Sequence, residues 1–209
     1  LQYMRFSRNI EKVNMSKTAE VADLALSLKE KGHKIINMAT GELSFKPDAS
    51  VRKAACRTIN KGETLYTQVA GLYELRNVIS AKLKKDLKIE YKCDEIIVSN
   101  GGKQVIYNAL QSTINRGDEV IIISPYWVSY PEIIKLCGGK PKVLNTTRKE
   151  DFSINTERLE KLITSKTKWI ILNSPNNPTG VVYSPETIRK LVMVLRLSLI
   201  HISEPTRRY

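Results

Sequence analysis

Cysteine is scarce in this sequence, and long apolar runs are absent from it. The three cysteines, Cys56, Cys93 and Cys137, are odd in number and lack the spacing of metal ligands, so neither a disulfide framework nor a metal site is expected. No stretch reaches the roughly 18 apolar residues of a membrane-spanning helix. The opening residues, LQYMRFSRNIEKVN, lack the apolar region of a secretory signal. These absences predict a cytoplasmic protein with reduced thiols and no membrane partner.

Acidic residues are too few to balance the basic ones. The 34 lysines and arginines and the 21 aspartates and glutamates give a formal net charge of +13. A clustered positive charge would favour binding to nucleic acid, because it neutralises phosphates. In segments such as SLKEKGHK and AKLKKDLK, however, the basic residues are spread along helical stretches with an acidic residue nearby. We therefore expect a solvated, lysine-rich surface and no nucleic-acid partner.

Short apolar runs alternate with amphipathic stretches along most of the 209 residues. Predicted strands cover residues 34–38, 95–99, 119–124, 140–145 and 168–172. Predicted helices run from Ser16 to about Gly32, from a cap at Asp48 to about Gly62, over 72–86, from about 103, near 129–137, near 155–164 and from Ser184 onwards. The strands are almost wholly apolar, which indicates burial on both faces. The alternation predicts an α/β fold with a mostly parallel sheet flanked by helices.

Three polar segments follow predicted strands. They are SNGGKQ at 99–104, SPYWVSYP at 124–131 and NSPNNPTG at 173–180. Any one of them could be an ordinary connecting loop, since Asn, Pro, Ser and Gly all favour turns. In parallel sheets, however, ligands bind where the loops leave the carboxyl ends of the strands. The shared position of the three segments predicts a binding site there.

Each segment offers a different kind of contact. The glycine pair before a helix is typical of an anion site, because the free N–H groups of a helix N-terminus point at the ligand. Trp127 offers a flat aromatic surface, although a cover over the core is the commoner role of such a residue. Asn177 supplies an amide for a phenolate or carboxylate oxygen. The combination describes a phosphorylated aromatic cofactor.

Five ordered segments together resemble the class I/II aminotransferases, which use pyridoxal 5'-phosphate. These segments are ATGE, YTQVAGLYELR, GGKQ, SPYWVSYP and NSPNNPTG. The most similar group is the bacterial-type aspartate aminotransferases, some of which also accept prephenate. The resemblance covers roughly residues 8–196 and implies the fold-type I architecture of this cofactor's transferases. It also implies a homodimer with shared sites.

The resemblance implies a set of cofactor-binding residues: Gly101, Gly102, Lys103, Trp127, Asn177 and Tyr66. Backbone amides at the glycine pair and Lys103 would bind the phosphate, and Tyr66 would reach the phosphate of the partner subunit. Trp127 would stack on the pyridine ring, and Asn177 would contact its 3-oxygen. The same resemblance, with the weak trans preference before proline, predicts a cis bond between Asn177 and Pro178.

The implied substrate-binding residues are Gly41, Trp127, Asn177, Lys103, Ser16 and Thr18. Gly41 and Asn177 would bind the α-carboxylate. The Lys103 side chain, with Ser16 and Thr18, would recognise the distal carboxylate of an acidic substrate, although ordinary helix capping also accounts for the latter two. Where the family usually has Pro-Asp, this chain has Leu43 and Ser44, so a looser loop is expected over the substrate.

The resemblance also divides the chain. Residues 1–46 would form the N-terminal arm and the start of the small domain, and 47–196 the N-terminal part of the large domain that binds the cofactor. Residues 197–209, LSLIHISEPTRRY, resemble a translated sequencing-library adapter and are expected to be a non-native tail. A truncated chain is therefore expected, with Leu191, Val194 and Leu195 exposed.

No catalytic residue is assigned, because no lysine here stands in the surroundings of the family's Schiff-base lysine, and the family's Asp-Glu-x-Tyr motif is absent. The resemblance implies a parent enzyme that transfers an amino group between an acidic amino acid (aspartate or glutamate, with prephenate and arogenate as a further pair) and a 2-oxo acid. The truncated chain itself is expected to be inactive. Two alternatives stay open: an aminotransferase for aromatic or neutral amino acids, and a non-catalytic regulator with the same fold.

Overall fold

The computed structural model describes residues 7–39, 41 and 43–197. Their contacts group them into two compact units. The helical unit is Lys17–Asn100, and the sheet unit joins the N-terminal residues up to Ser16 to the chain from Gly101 onwards. The domain boundaries predicted at 46 and 196 stay predictions, and the predicted tail lies outside the described residues apart from its first position.

The described residues of the helical unit form three α-helices and a short 3₁₀ helix at Cys93–Glu95. The α-helices are α1 (Lys17–Glu30), α2 (Ala49–Asn60) and α3 (Tyr73–Leu87). The predicted cap of α2 is confirmed, because the Asp48 carboxylate accepts a hydrogen bond of 2.8 Å from the Ser50 N–H. Gly62 follows the end of α2 with φ +72°, which lets the chain turn away from the helix axis.

Two predicted strands of the helical unit are not strands. Residues 34–38 and 96–99 have no regular structure, and the side chains of Ile36, Met38 and Ile97 are 89%, 89% and 70% exposed. An apolar run forms a strand only where another strand supplies hydrogen-bond partners. The described residues supply one such bond here, 2.9 Å from the Val98 N–H to the Ala70 carbonyl. The prediction of strands at 34–38 and 95–99 is therefore wrong.

The sheet unit contains a three-stranded parallel sheet. Its strands are β1 (Glu119–Ser124), β2 (Lys140–Asn145) and β3 (Thr167–Ile171), in the order β2-β1-β3. Among its described residues, the unit has the α-helices α4 (Gly102–Thr113), α5 (Ser129–Leu136), α6 (Thr156–Leu162) and α7 (Pro185–Leu197). Short 3₁₀ helices lie at Ile10–Lys12 and Arg148–Glu150. The predicted parallel sheet flanked by helices is confirmed.

The central strand β1 is buried on both faces. Val120 and Ile122 pack in a cluster with residues of α4 and α5, whereas Ile121 and Ile123 pack in a second cluster with residues of α6 and α7. Successive side chains of a strand point to opposite faces, so a strand covered on both sides has to be apolar throughout. Each fully buried isoleucine contributes on the order of 1.5 to 3 kcal/mol. This burial explains the run EVIIIS.

The prediction of an exposed apolar face on α7 is wrong for two of its three residues. Leu191 and Leu195 are only 2% and 0% exposed and belong to the second cluster, against which Val194 packs while partly buried. The cluster also contains Leu159 of α6 and Ile170 of β3. These two elements cover the face that helical periodicity alone left without a partner.

Candidate functional site

The carboxyl ends of the parallel strands lie at one edge of the sheet. Ser124, at the end of β1, is in register with Asn145, at the end of β2, and its hydroxyl donates a hydrogen bond of 3.2 Å to the Asn145 side-chain oxygen. The Thr146 hydroxyl donates a bond of 2.5 Å to the Ser124 carbonyl. These bonds join the ends of β1 and β2. Because β1 and β3 are also parallel, the loops that follow them leave the sheet from the same edge.

The glycine pair forms the N-terminus of α4. Gly101 precedes the helix with φ +86°, and a Cβ atom added to Gly101 or Gly102 would meet no atom within 4 Å. Within the described ranges, the N–H groups of Gly102 and Lys103 make no hydrogen bond. Unpaired N–H groups at a helix N-terminus carry partial positive charge. This end of α4 thus offers open space and donors for an anion.

Trp127, in the loop after β1, contacts this end of α4. The Lys103 ammonium Nζ lies 5.3 Å from the centroid of the Trp127 ring, within the range of a cation–π interaction. The rings of Trp127 and Tyr130 meet edge to face, with centroids 5.5 Å apart. Tyr130 is buried and Trp127 is half-buried. The indole is therefore in contact with both a buried aromatic ring and a positive charge.

The NSPNNPTG loop after β3 is held by its own side chains. The Asn173 side-chain oxygen accepts a bond of 2.9 Å from the Asn177 N–H, and the Ser174 hydroxyl accepts one of 3.1 Å from the Tyr183 N–H. The peptide bond between Asn177 and Pro178 is cis, as predicted. In the part of the chain that the structure describes, the Asn177 side-chain amide has no hydrogen-bond partner, and the residue is exposed. The loop thus leaves that amide available to a ligand.

Asn176 is a residue of the site that the sequence analysis missed. It is 9% exposed, and its side-chain Nδ2 donates 2.9 Å bonds to the Pro125 carbonyl and to the Thr179 hydroxyl. The first of these bonds links the loop after β3 to the loop after β1, across 51 positions of sequence. Two adjacent asparagines look alike in the sequence, and only the fold shows which one is buried.

The N-terminal arm before Ser16 is bound to α5. The Asn14 N–H donates a bond of 2.7 Å to the Glu132 carboxylate, and the Asn9 side chain donates one of 3.1 Å to the Leu136 carbonyl. Lys135 forms an ion pair of 2.9 Å with Glu132. Burial acts to raise the pKa of Glu132, but the hydrogen bonds from Lys135 and Asn14 outweigh it and lower that pKa.

Four further predicted site residues remain: Ser16, Thr18, Gly41 and Tyr66. Ser16 directly precedes α1 and is half-buried. Thr18, Gly41 and Tyr66 belong to the helical unit, where Thr18 lies in the first turn of α1 and the Tyr66 side chain is fully exposed. The roles implied for these four residues stay predictions.

A family model matches most of the chain. Residues 33–202 match the family described as aminotransferase class I and II. The chain belongs to this family. The resemblance that the five sequence segments carry is thereby confirmed, and with it the fold-type I architecture.

Named relatives agree with this assignment. The chain is 45% identical over 186 residues to a protein of Rhizobium leguminosarum named "Probable aspartate/prephenate aminotransferase", covering 89% of this chain and 46% of the relative. It is 43% identical to the aspartate aminotransferase of Bacillus subtilis, covering 90% of this chain and 48% of that protein. The chain therefore spans about half the length of the curated relatives that it matches.

Solved structures of aminotransferases superpose closely on the chain. The aspartate aminotransferase of Thermus thermophilus with maleate gives a TM-score of 0.91 at 36% identity, covering 96% of this chain and 52% of that one. The enzyme of Thermotoga maritima gives 0.89 at 40% identity, covering 94% and 52%.

Pyridoxal 5'-phosphate is the cofactor of this aminotransferase family, and the described residues fit it. The open space at the glycine pair and the unpaired N–H groups of Gly102 and Lys103 suit a phosphate. The half-buried Trp127 ring suits a planar heteroaromatic ring, and the Asn177 amide suits a ring oxygen.

Proposed function

We propose that the whole aminotransferase to which this chain belongs transfers an amino group between an acidic amino acid and a 2-oxo acid. The observation that carries the proposal is the group of contacts at the carboxyl edge of the sheet. There the N–H groups at the start of α4, the Trp127 ring and the Asn177 amide are all left without a hydrogen-bond partner of their own in the described residues. Unpaired polar groups and an aromatic ring on loops at the carboxyl edge of a parallel sheet are typical of a ligand site.

The cofactor contacts follow from this arrangement. We assign the phosphate to the N–H groups around Gly101, Gly102 and Lys103, the pyridine ring to Trp127, and the 3-oxygen to Asn177. When bound, the cofactor supplies an electron sink that stabilises negative charge on the substrate's α-carbon. The residues of this chain hold its phosphate and orient its ring. From the family resemblance, we further assign Tyr66 to the phosphate of the partner subunit, which requires a homodimer.

A positive charge beside the ring platform supports an acidic substrate. The Lys103 ammonium lies over the Trp127 ring, where it is available to the distal carboxylate of aspartate or glutamate. The resemblance adds Ser16 and Thr18 to this contact and Gly41 and Asn177 to the α-carboxylate. Both relatives described above are named for aspartate, and the one of Rhizobium leguminosarum also for prephenate. Its name supports prephenate as a further oxo-acid substrate, with arogenate as its product.

We propose that the 209-residue chain by itself does not transaminate. None of its lysines stands in the surroundings of the family's Schiff-base lysine. Weak binding of the cofactor without a covalent bond is expected, through the backbone N–H groups of Gly102 and Lys103 and the Trp127 ring. The three cysteines are free, which agrees with the cytoplasmic location that we propose.

Cofactor binding can be tested on the chain as it stands. The sequence has two tryptophans, so Trp169→Phe leaves Trp127 as the only indole. Because lysines form adducts with aldehydes, the probe is 4'-deoxypyridoxine 5'-phosphate, which has no aldehyde. We expect it to quench Trp127 emission at lower concentration than deoxypyridoxine, which lacks the phosphate.

Asn177→Ala should weaken the binding of this probe, whereas Asn108→Ala, at an exposed position of α4, serves as the matched control and should leave it unchanged. Equal affinity for the probe with and without its phosphate would contradict the site. So would an equal effect of the two alanine variants.

The two alternative functions, an aminotransferase for aromatic or neutral amino acids and a non-catalytic regulator, can each be tested by experiment. An enzyme for aromatic or neutral amino acids would keep its activity when Lys103 is replaced. A regulator that binds nucleic acid would make use of the net charge of +13. Retention of the chain on immobilised DNA at 150 mM salt, with the steep salt dependence of phosphate contacts, would support the regulator.

A further inference from the structure

Asn176 has a buried side chain in which every polar hydrogen is used. Its Nδ2 donates to the Pro125 carbonyl and to the Thr179 hydroxyl, both at 2.9 Å. Its backbone N–H donates to the Val181 carbonyl at 2.9 Å, and its own carbonyl accepts from the Gly180 N–H at 2.7 Å. We propose that Asn176 is a positioning residue, which fastens the loop that carries Trp127 to the loop that carries Asn177. The cofactor part of this proposal rests on the proposed function, and the loop geometry does not.

The bond to Pro125 joins the two loops directly. Across the residues that the structure describes, it is the one hydrogen bond between segments 125–128 and 173–180. Pro125 lies two positions before Trp127, and Asn176 is the immediate neighbour of Asn177. The two ligand groups are thus separated by one hydrogen bond and a few covalent bonds. A site held in this way needs no rearrangement when a planar ligand arrives.

The surroundings of Asn176 require an amide. The Pro125 carbonyl can only accept a hydrogen bond, so the side chain opposite it has to donate. Aspartate has the same shape as asparagine, but it would place a carboxylate oxygen against the carbonyl oxygen. Asn176→Asp therefore removes the bond between the loops with little change in volume. Thr179→Val is the matched control, because it removes the two bonds that the Thr179 hydroxyl accepts, from Asn176 and from the Val181 N–H, and leaves the Pro125 bond intact.

The test measures how accessible the Trp127 indole is to a quencher, in the full 209-residue chain that carries Trp169→Phe. Acrylamide quenching reports how often the indole becomes accessible. We expect Asn176→Asp to raise the quenching constant by about twofold or more, since one hydrogen bond changes a local equilibrium by roughly 2- to 13-fold. Thr179→Val should leave the constant close to that of the parent. Equal quenching in both variants would overturn the proposal, as would no change in Asn176→Asp.

A second measurement separates positioning from general stability. Affinity for 4'-deoxypyridoxine 5'-phosphate is measured in a double-mutant cycle of Asn176→Asp with Trp127→Phe. If Asn176 acts through the Trp127 loop, the losses of probe affinity caused by the two substitutions do not multiply. The fold-loss of affinity caused by Asn176→Asp should then be less than half as large in the Trp127→Phe background as in the parent. Losses that multiply would overturn the proposal. If no variant binds the probe, the proposed function fails, and the quenching comparison still decides the role of Asn176.

A variant of Asn176 that fails to fold also tests the proposal. Asn176→Ser avoids a buried charge, and its shorter side chain cannot reach the Pro125 carbonyl, so it should reproduce the quenching result. If both Asn176 variants lose their far-ultraviolet circular dichroism while Thr179→Val keeps it, the amide supports the whole fold and the proposal is overturned.

Discussion

The Lys103 ammonium lies 5.3 Å from the centroid of the Trp127 ring, so the first turn of α4 and the loop after β1 are joined by a cation–π interaction. Helix α4 supplies the charge and the loop after β1 supplies the aromatic surface. An isolated pair of this kind is worth roughly 0.5 to 1 kcal/mol at an exposed site. The contact thus costs little to break, which leaves the ammonium free to pair with a stronger partner such as a carboxylate.

Replacing Lys103 should affect acidic and aromatic substrates differently. In the whole enzyme, Lys103→Gln should lower kcat/KM for aspartate by roughly 10- to 100-fold, the loss expected for a charge-assisted hydrogen bond. The value for phenylalanine should stay within about threefold, since that substrate has no distal carboxylate. Steady-state kinetics with both donors provide the check, with the exposed Lys29→Gln as the control. Equal losses for both donors would exclude substrate recognition by Lys103.

Two glycines should respond in opposite ways to an added methyl group. At Gly139 the new Cβ would lie 2.8 Å from Ile114 Cδ1 and 3.3 Å from the Ile134 carbonyl oxygen, so Gly139→Ala should destabilise the fold by about 1 to 3 kcal/mol. At Gly102 it would meet open space in a helix, so Gly102→Ala should be neutral or stabilising by up to about 1 kcal/mol. Urea unfolding measures both. A stable Gly139→Ala variant would show that the Ile114 side chain moves aside without cost.

The stability contributed by the hydrogen bond between the N-terminal arm and Glu132 of α5 should depend on pH. Because the pKa of Glu132 is lowered in the folded chain, its contribution to stability is fully present above the ordinary value of 4.5 and is lost as the pH falls through the lower folded value. Glu132→Gln should therefore cost about 1 kcal/mol of unfolding free energy near pH 7 and progressively less in acid. Denaturation curves at several pH values test this, with the exposed Glu157→Gln as the control. A pH-independent difference would contradict the assignment.

The three thiols should differ in reactivity toward Ellman's reagent. Cys56 is exposed, whereas Cys137 is only 7% exposed and burial raises the pKa of its thiol. At pH 8 we expect Cys137 to react about 100-fold or more slowly than Cys56, because attack requires both opening of the core and formation of the thiolate. The Cys56→Ser variant identifies the fast phase. A fast phase that survives in this variant and is traced to Cys137 would disprove the expected burial.

The sequence predicted the sheet unit better than the helical unit for a physical reason. The runs at 119–124 and 140–145 are strands with the predicted limits, because each has a partner strand in the described residues. The runs at 34–38 and 95–99 are equally apolar but find no such partner there. The apolar composition of a run predicts that its side chains tend to be buried. To form a strand, the run also needs a second chain segment at hydrogen-bonding distance.

The candidate site shows the same limit at the level of single residues. Gly102, Trp127 and Asn177 could be selected from the sequence because each follows a predicted strand, and the family resemblance supplied the roles that we propose for them. The Asn176 side chain could not be selected, since its function depends on a carbonyl 51 positions away. Contacts between loops that are distant in sequence are set by the register of the sheet, which no local pattern encodes.

The two outer strands of the sheet differ in their capacity for lateral growth. Pro141 in β2 has no N–H to donate, which is characteristic of a strand that ends a sheet. The outer side of β3, Thr167–Ile171, contains no proline, and its backbone groups have no strand beyond them in the described ranges. A further strand can therefore add hydrogen bonds along β3 more readily than along β2. The sheet therefore has one edge, at β2, that resists extension and one edge, at β3, that can accept another strand.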